Sequence, residues 1–122
     1  MTAVHHLIDG EFVTALGDQE RDVQIDIPGV RYVEFDRRPG LSTGIYELGA
    51  GVRDPQGPHG EDEIYVVVRG RAVVELAGER SPIQPGSVIS VPRAVEHRFV
   101  DIEEDLQLVV VFGPPEGTLP KP

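Results

Sequence analysis

Apolar residues along this chain fall in short runs that are rich in β-branched side chains and bounded by Gly, Pro or Asp. The 3.6-residue period of an amphipathic helix is hard to find, so the pattern predicts strands. The predicted strands cover residues 23–27, 30–35, 43–48, 64–69, 72–76, 88–91, 97–102 and 106–112. Short strands at such regular spacing are typical of an all-β fold, either an antiparallel sandwich or a barrel.

Turn-forming residues separate these strands where the chain must reverse. The sequences "RRPG" at 37–40, "AGER" at 77–80 and "QPG" at 84–86 carry the residues that β-turns favour. Between two apolar strands, "RGR" at 69–71 predicts a tight reversal, because Gly70 can adopt the unusual backbone angles that such a turn needs.

Two of the predicted strands are apolar on both faces. The runs "IYVVV" at 64–68 and "LVVVF" at 108–112 do not alternate, so something must cover the residues that face away from the core. We favour a partner subunit, and therefore a homodimer. The alternative is that the N-terminal segment of the same chain folds across these strands.

Composition divides the chain into an N-terminal arm (1–22), a barrel (23–115) and a C-terminal tail (116–122). The arm shows weak periodicity, and we interpret its adjacent His5 and His6 as incidental rather than as a metal motif. The end of the chain, "GPPEGTLPKP", cannot enter the interior of a sheet, because Pro lacks the donor that the ladder requires.

The charge and residue content exclude several classes of function. The chain has 122 residues, which predicts one domain, and its 11 Lys and Arg against 21 Asp and Glu give a formal net charge of −10. Because this charge repels phosphate backbones and anionic lipid surfaces, we expect neither a nucleic-acid nor a membrane partner. The absence of Cys excludes disulfides, cysteine-ligated zinc and thiol catalysis.

No part of the sequence has the features of a targeting or membrane-spanning segment. The start "MTAVHHLIDGEFV" has no basic region followed by an apolar one, and no later run approaches the ~18 apolar residues of a membrane span. We therefore expect a cytoplasmic protein.

The first candidate for chemistry is "PHGEDEIYVVVRG" at 58–70, where a polar loop leads into an apolar strand. If the strand extends back through the loop, His59 and Glu63 project to the same side as Tyr65, because alternate residues share a face. Taken alone, a carboxylate at the head of a strand is more often solvent-facing than functional.

The second candidate is "PGSVISVPRAVEHRFVD" at 85–101. A strand stops at Pro92, and His97 opens the next strand, two residues before Phe99. On the inner face His97 would point into the same interior as His59 and Glu63. Taken alone, it is more often a hydrogen-bonded core histidine than a ligand.

Together the two stretches resemble the two motifs of a small single-domain cupin, of the conserved-barrel type. In the first, His59 is followed after three residues by Glu63 and after six more by Gly70, as in the family. The positions of the second motif are held by Gly86, Pro92, Ala94, His97 and Asp101, with Ala in place of a second glycine and Asp in place of asparagine. The resemblance covers residues 40 to 115 and implies a double-stranded β-helix (jelly-roll) cupin barrel.

The resemblance also implies one divalent transition metal inside the barrel. Carried over by position, its ligands are His59, Glu63 and His97. Gly57 stands where the family places another histidine, and since Gly cannot ligate, the adjacent Gln56 is the expected substitute through its amide oxygen. Such a set, without Cys, suits Fe, Mn, Ni or Zn.

Aromatic residues near these motifs are candidates for a substrate pocket. Tyr65 and Phe99 would form its walls, and Tyr46 would supply a hydroxyl if its strand faces inward. Ordinary core packing is the alternative for each of the three.

Three functions follow from the resemblance. The one that we favour is a metal-dependent enzyme acting on a small molecule, of the oxygenase, isomerase or decarboxylase type. A non-catalytic cupin that binds a small ligand, as a sensor, with the metal absent or structural, is the first alternative. The second is metal-free acid–base catalysis by the histidine–carboxylate pair, as in some sugar epimerases of the superfamily.

Overall fold

The structure, a computed structural model, describes the backbone of residues 5–8, 11–14 and 22–122 and the side chains of residues 23–122. Its strands are β1 (His5–Ile8), β2 (Glu11–Thr14), β3 (Asp22–Ile27), β4 (Val30–Arg38), β5 (Leu41–Leu48), β6 (Asp62–Arg69), β7 (Ala72–Leu76), β8 (Glu79–Ile83), β9 (Val88–Val91), β10 (His97–Val100) and β11 (Leu106–Gly113). Within these ranges there is no helix, and so none with the length and apolar character needed to cross a bilayer.

The strands form antiparallel sheets, as the sequence predicts for an all-β fold. Six strands make the larger sheet, in the order β3-β4-β5-β11-β6-β9, and three make a second sheet, in the order β10-β7-β8. A third, two-stranded sheet pairs β1 with β2. The rest of the predicted N-terminal arm lies outside the described residues, and so do the side chains of His5 and His6. Whether this segment covers the outer face of the sheet therefore stays a prediction.

Three strands were missing from the sequence prediction: β1 and β2, which lie in the predicted arm, and β8. β8 follows a two-residue turn in which both Ala77 and Gly78 have positive φ, of 47° and 85°, as the "AGER" turn requires. Its sequence, "ERSPI", is polar and contains Pro82, which argues against a strand. The sheet tolerates Pro82 because β8 lies at the edge of the three-stranded sheet, where one side of the backbone needs no partner.

One predicted strand is shorter in the structure than the sequence suggests. The strand predicted over 97–102 ends at Val100, because Asp101 adopts a left-handed conformation with φ of 48°.

The core lies on the inner face of the six-stranded sheet. One row of paired residues runs across it from Tyr32 to Tyr46, Leu108 and Val67, and all four side chains are buried. The ring of Tyr32 lies over Gly44, where a Cβ would come within 2.6 Å of the phenol. The aliphatic side chains of Leu108 and Val67 each contribute about 1.5–3 kcal/mol to folding.

The outer face of the same sheet is also apolar. Its central row pairs Val33 with Ile45, Val109 and Val66, as the non-alternating runs predict. Val33 and Ile45 are buried, whereas Ile64, in β6, is 44% exposed. Part of this face is therefore open among the described residues.

The reversal between β6 and β7 depends on Gly70. This residue has φ of 92°, and a Cβ there would clash with the carbonyl oxygen of Asp105. Only glycine satisfies both conditions. The turn sends the chain from the large sheet to the small one, so β6 and β10 face each other across the barrel interior.

Candidate metal centre

The polar residues of the two motifs meet in the barrel interior. Glu63 and Tyr65 face inward on β6, with exposures of 2% and 1%, while Ile64 between them faces outward. His97 is the first residue of β10, and its side chain is also buried. The alternation that the sequence predicts for these strands is therefore present.

A single carboxylate oxygen connects the three candidate ligands. The Oε1 atom of Glu63 lies 2.7 Å from Nε2 of His59 and 3.1 Å from Nε2 of His97. The two imidazole rings are 4.8 Å apart between centroids. One potential ligand atom from each residue lies within 4.8 Å of the others.

Hydrogen bonds to the backbone set the tautomers of both histidines. Nδ1 of His59 lies 3.0 Å from the carbonyl oxygen of Glu61, and Nδ1 of His97 lies 2.9 Å from that of Val95. A carbonyl oxygen only accepts, so each Nδ1 carries a hydrogen and donates it. In the neutral rings both Nε2 lone pairs then face the carboxylate of Glu63.

This arrangement leaves a place for a positive charge. Nε2 of His97 is buried and has no hydrogen-bond partner among the described residues, although it lies close to Glu63. Two lone pairs and a carboxylate oxygen repel one another unless a proton or a cation lies between them. Histidine ligands of metals commonly donate their other ring N–H to a carbonyl, as both do here.

The donor set fits a divalent transition metal. Two ligands in adjacent positions on an ion, with bonds of about 2.1 Å at right angles, lie about 3 Å apart. The observed nitrogen–oxygen separations, 2.7 and 3.1 Å, agree with that value. Two imidazoles and one carboxylate suit Fe, Mn, Ni or Zn and leave other coordination positions open.

Burial and hydrogen bonding oppose each other in setting the charges of this site. Burial alone would lower the pKa of His59, but the hydrogen bond and negative charge of Glu63 raise that pKa above its ordinary value of 6.5. Burial would raise the pKa of Glu63, but the hydrogen bond with His59 and the nearby imidazole of His97 lower that pKa below its ordinary value of 4.5. Near neutral pH, Glu63 is therefore an anion, and His59 keeps its second ring proton to a higher pH than a free imidazole does.

Metal affinity is expected to rise with pH for this reason. His59 must lose its proton to ligate, and since its pKa is raised, the metal-free protein still carries that proton at pH 6.5. Glu63, with its lowered pKa, has no proton to lose there. Binding of Zn²⁺ should then release about one proton, and affinity should increase by about tenfold per pH unit until the pH passes the pKa of His59.

Isothermal titration calorimetry in two buffers of different ionisation enthalpy measures this proton release. An affinity independent of pH between 6 and 8, with no proton released, would contradict the assignment of His59 as a ligand.

Gln56 makes hydrogen bonds at both ends of its amide. Its Nε2 donates to Asp54 at 2.8 Å, and its Oε1 accepts from the hydroxyl of Tyr65 at 2.6 Å. These contacts link Gln56 to protein groups, and its predicted role as a metal ligand stays a prediction. Beside it, a Cβ at Gly57 would meet nothing within 4 Å, so the place of the family's additional histidine is open space.

A cavity of about 500 Å³ opens beside His59 and Glu63. Its walls include His59 and Glu63 together with Tyr46 and Tyr65, the two tyrosines that the sequence nominates for a pocket. Phe99 is buried and packs edge-to-face against Tyr65, with ring centroids 5.0 Å apart.

Burial raises the pKa of both tyrosines above the ordinary value, and negative neighbours raise it further. The phenols of Tyr46 and Tyr65 therefore stay protonated and act as hydrogen-bond donors rather than as bases.

Sequence reasoning missed Asp54, which organises one wall of this site. Its carboxylate is 4% exposed and accepts hydrogen bonds from the hydroxyl of Tyr46 at 2.7 Å and from the amide N–H of Phe99 at 2.9 Å. It also accepts from both the backbone N–H and the side-chain amide of Gln56. An Asp in the Gly- and Pro-rich loop "RDPQGPHG" looks like an exposed turn residue, so the sequence carries no signal of this role.

Sequence comparison supplies the relatives of this chain. The family model described as "Cupin domain" matches residues 44–112, more than half of the chain. A protein of Streptomyces coelicolor, described as uncharacterized, is 47% identical over 86 residues, which are 70% of this chain and 82% of that protein.

Solved structures of other proteins share the fold, including the following two. KdgF from Halomonas sp. superposes with a TM-score of 0.70 at 28% identity, over 79% of this chain and 88% of that chain. An RmlC-like cupin from Shewanella frigidimarina superposes with a TM-score of 0.72 at 19% identity, over 96% of this chain and 97% of that chain. The predicted jelly-roll barrel is confirmed.

Proposed function

Since this chain belongs to the cupin-domain family, we propose that it is a metal-dependent enzyme acting on a small molecule. His59, Glu63 and His97 hold one divalent transition metal, and the cavity beside His59 and Glu63 receives the substrate. The observation that carries the proposal is the convergence of two Nε2 atoms on one buried carboxylate oxygen, at 2.7 and 3.1 Å.

Such an ion supplies Lewis acidity, because a site with two neutral imidazoles and one carboxylate keeps a residual positive charge that polarises a bound oxygen. The chain's own residues orient the substrate. The phenols of Tyr46 and Tyr65 are held by Asp54 and Gln56. The buried setting of Glu63 excludes water and strengthens its interaction with positive charge.

The proposed reaction is of the oxygenase, isomerase or decarboxylase type, and a cavity of about 500 Å³ has the size of an ordinary small-molecule pocket. Open space at Gly57 fits the proposal, because a position without a protein ligand is one where substrate or water can bind. The same departure from the family pattern motivates the non-catalytic, ligand-binding alternative.

Turnover separates the two functions. The protein is loaded separately with Fe(II), Mn(II), Ni(II) or Zn(II), and a panel of small oxygen-containing metabolites is screened for compounds that raise the unfolding temperature only when metal is bound. Each such compound is then incubated with loaded protein and analysed by mass spectrometry. Conversion of many equivalents per chain is expected. Recovery of every such ligand unchanged would refute the enzyme and support the binding protein.

We also propose that the protein is a cytoplasmic homodimer. The support for the dimer is the partly exposed apolar outer face of the large sheet, where Ile64 and Val88 are 44% and 66% exposed. A monomeric mass in sedimentation equilibrium at micromolar concentration would refute it.

A further inference from the structure

A second buried carboxylate lies beside the metal centre but points away from it. Glu61 is 1% exposed, and both of its carboxylate oxygens accept backbone hydrogen bonds from the end of the chain. Oε2 accepts from the N–H of Leu119 at 2.8 Å, and Oε1 accepts from the N–H of Gly117 at 3.3 Å. A buried carboxylate is costly unless it is paired in this way, so these bonds stabilise one particular position of the segment.

Residues 115–122, the C-terminal strap, have further anchors on the barrel. Oγ of Ser42, which is fully buried, accepts from the N–H of Glu116 at 2.8 Å. The guanidinium of Arg37 donates to the carbonyl oxygen of Glu116 at 3.2 Å. Within the strap, the hydroxyl of Thr118 closes a turn on the carbonyl oxygen of Pro115 at 2.6 Å. The strap is therefore a built part of the barrel mouth.

The strap forms one wall of the cavity that contains His59 and Glu63. Its residues Glu116, Lys121 and Pro122 line that cavity. The strap also rests on the loop that carries His59. A Cβ at Gly60 would lie 2.8 Å from Cβ of Leu119 and would clash with the carbonyl oxygen of Pro120.

We propose that Glu61 is a positioning residue that latches the C-terminal strap across the mouth of the cavity, and that the latched strap limits access to the metal centre. This proposal rests on the proposed function in one respect, which is that the cavity receives the substrate. Two hydrogen bonds to the carboxylate of Glu61 hold this wall, and that carboxylate is not one of the proposed metal ligands. Surface segments held by few contacts are the ones that open locally and act as lids.

The test uses full-length, metal-free protein and the variant Glu61→Ala. Latching is measured as amide hydrogen exchange of Gly117 and Leu119. Access is measured as the rate at which diethyl pyrocarbonate modifies His59, followed by peptide mass spectrometry. In the variant we expect exchange at both amides to accelerate by roughly tenfold and modification of His59 to accelerate several-fold.

A second variant keeps the test decisive if Glu61→Ala does not fold. Gly60→Ala keeps Glu61 but places a Cβ against Leu119 and Pro120. The backbone of Gly60 is not in the left-handed region, so alanine adds no backbone strain there. It should produce the same two changes. The matched control is Gly40→Ala, where a Cβ meets nothing within 4 Å, and it should change neither rate.

Unprotected strap amides in the wild-type protein would overturn the proposal. Modification of His59 at the wild-type rate in both variants would overturn it as well. Because neither measurement needs metal, a protein that takes up no ion yet shows both changes would refute the proposed function and support the latch.

Discussion

Replacing Glu63 with Gln is expected to remove the metal from this protein, from about one equivalent per chain to less than roughly a tenth. Gln has nearly the same shape as Glu, so the substitution keeps the packing of β6. It removes the negative charge that faces both Nε2 atoms, at 2.7 and 3.1 Å. With two neutral imidazoles and no anion, the site loses its only charged ligand.

The measurement is elemental analysis after reconstitution, with circular dichroism to show that the variant is folded. Glu104→Gln is the matched control, since the side chain of Glu104 is 63% exposed and should leave the metal content unchanged. His97→Gln should behave like Glu63→Gln. Retained metal at full stoichiometry in either variant refutes the ligand assignment.

Replacing Asp54 with Asn should give the largest loss of stability, about 2–4 kcal/mol in the free energy of unfolding. Asp54 is 4% exposed and accepts four hydrogen bonds, from Tyr46, Phe99 and two donors of Gln56. The Asn side chain replaces one acceptor with a donor, so buried N–H or O–H groups are left facing another donor.

Chemical denaturation measures this loss, and Asp26→Asn is the control because Asp26 is exposed. A second consequence distinguishes Asp54 from an ordinary core residue. Release of Gln56 should free the hydroxyl of Tyr65, and metal-dependent ligand binding should weaken beyond what the stability change explains. A loss below about 0.5 kcal/mol would contradict the network described for Asp54.

The convergence of His59, Glu63 and His97 could be predicted because the sequence information for it lies in two short motifs. His59 and Glu63 are four residues apart on the approach to β6, and His97 opens β10, so motif spacing and strand alternation identify all three. The same alternation predicts that Tyr65 is buried and Ile64 is not.

The contacts that support the site could not be predicted, because their partners are distant in sequence. Glu61 binds Gly117 and Leu119, 56 and 58 residues away, and Asp54 binds Phe99, 45 residues away. In the sequence, both acids look like ordinary solvent-facing loop residues. Their burial depends on where the tail and β10 lie in the folded chain, and no periodicity in one sequence carries that information.

The polar strand β8 was missed for a related reason. Its residues suit the solvent-facing edge of a sheet, so hydrophobic alternation is absent, and only pairing with β7 makes it a strand.

The metal content of the wild-type protein tests the central claim most directly. Protein produced without an affinity tag is stripped with a chelator, reconstituted with each of Fe(II), Mn(II), Ni(II) and Zn(II), and analysed by inductively coupled plasma mass spectrometry. The geometry of His59, Glu63 and His97 predicts about one tightly bound ion per chain with at least one of these metals. Less than roughly a tenth of an equivalent with all four would contradict the metal centre.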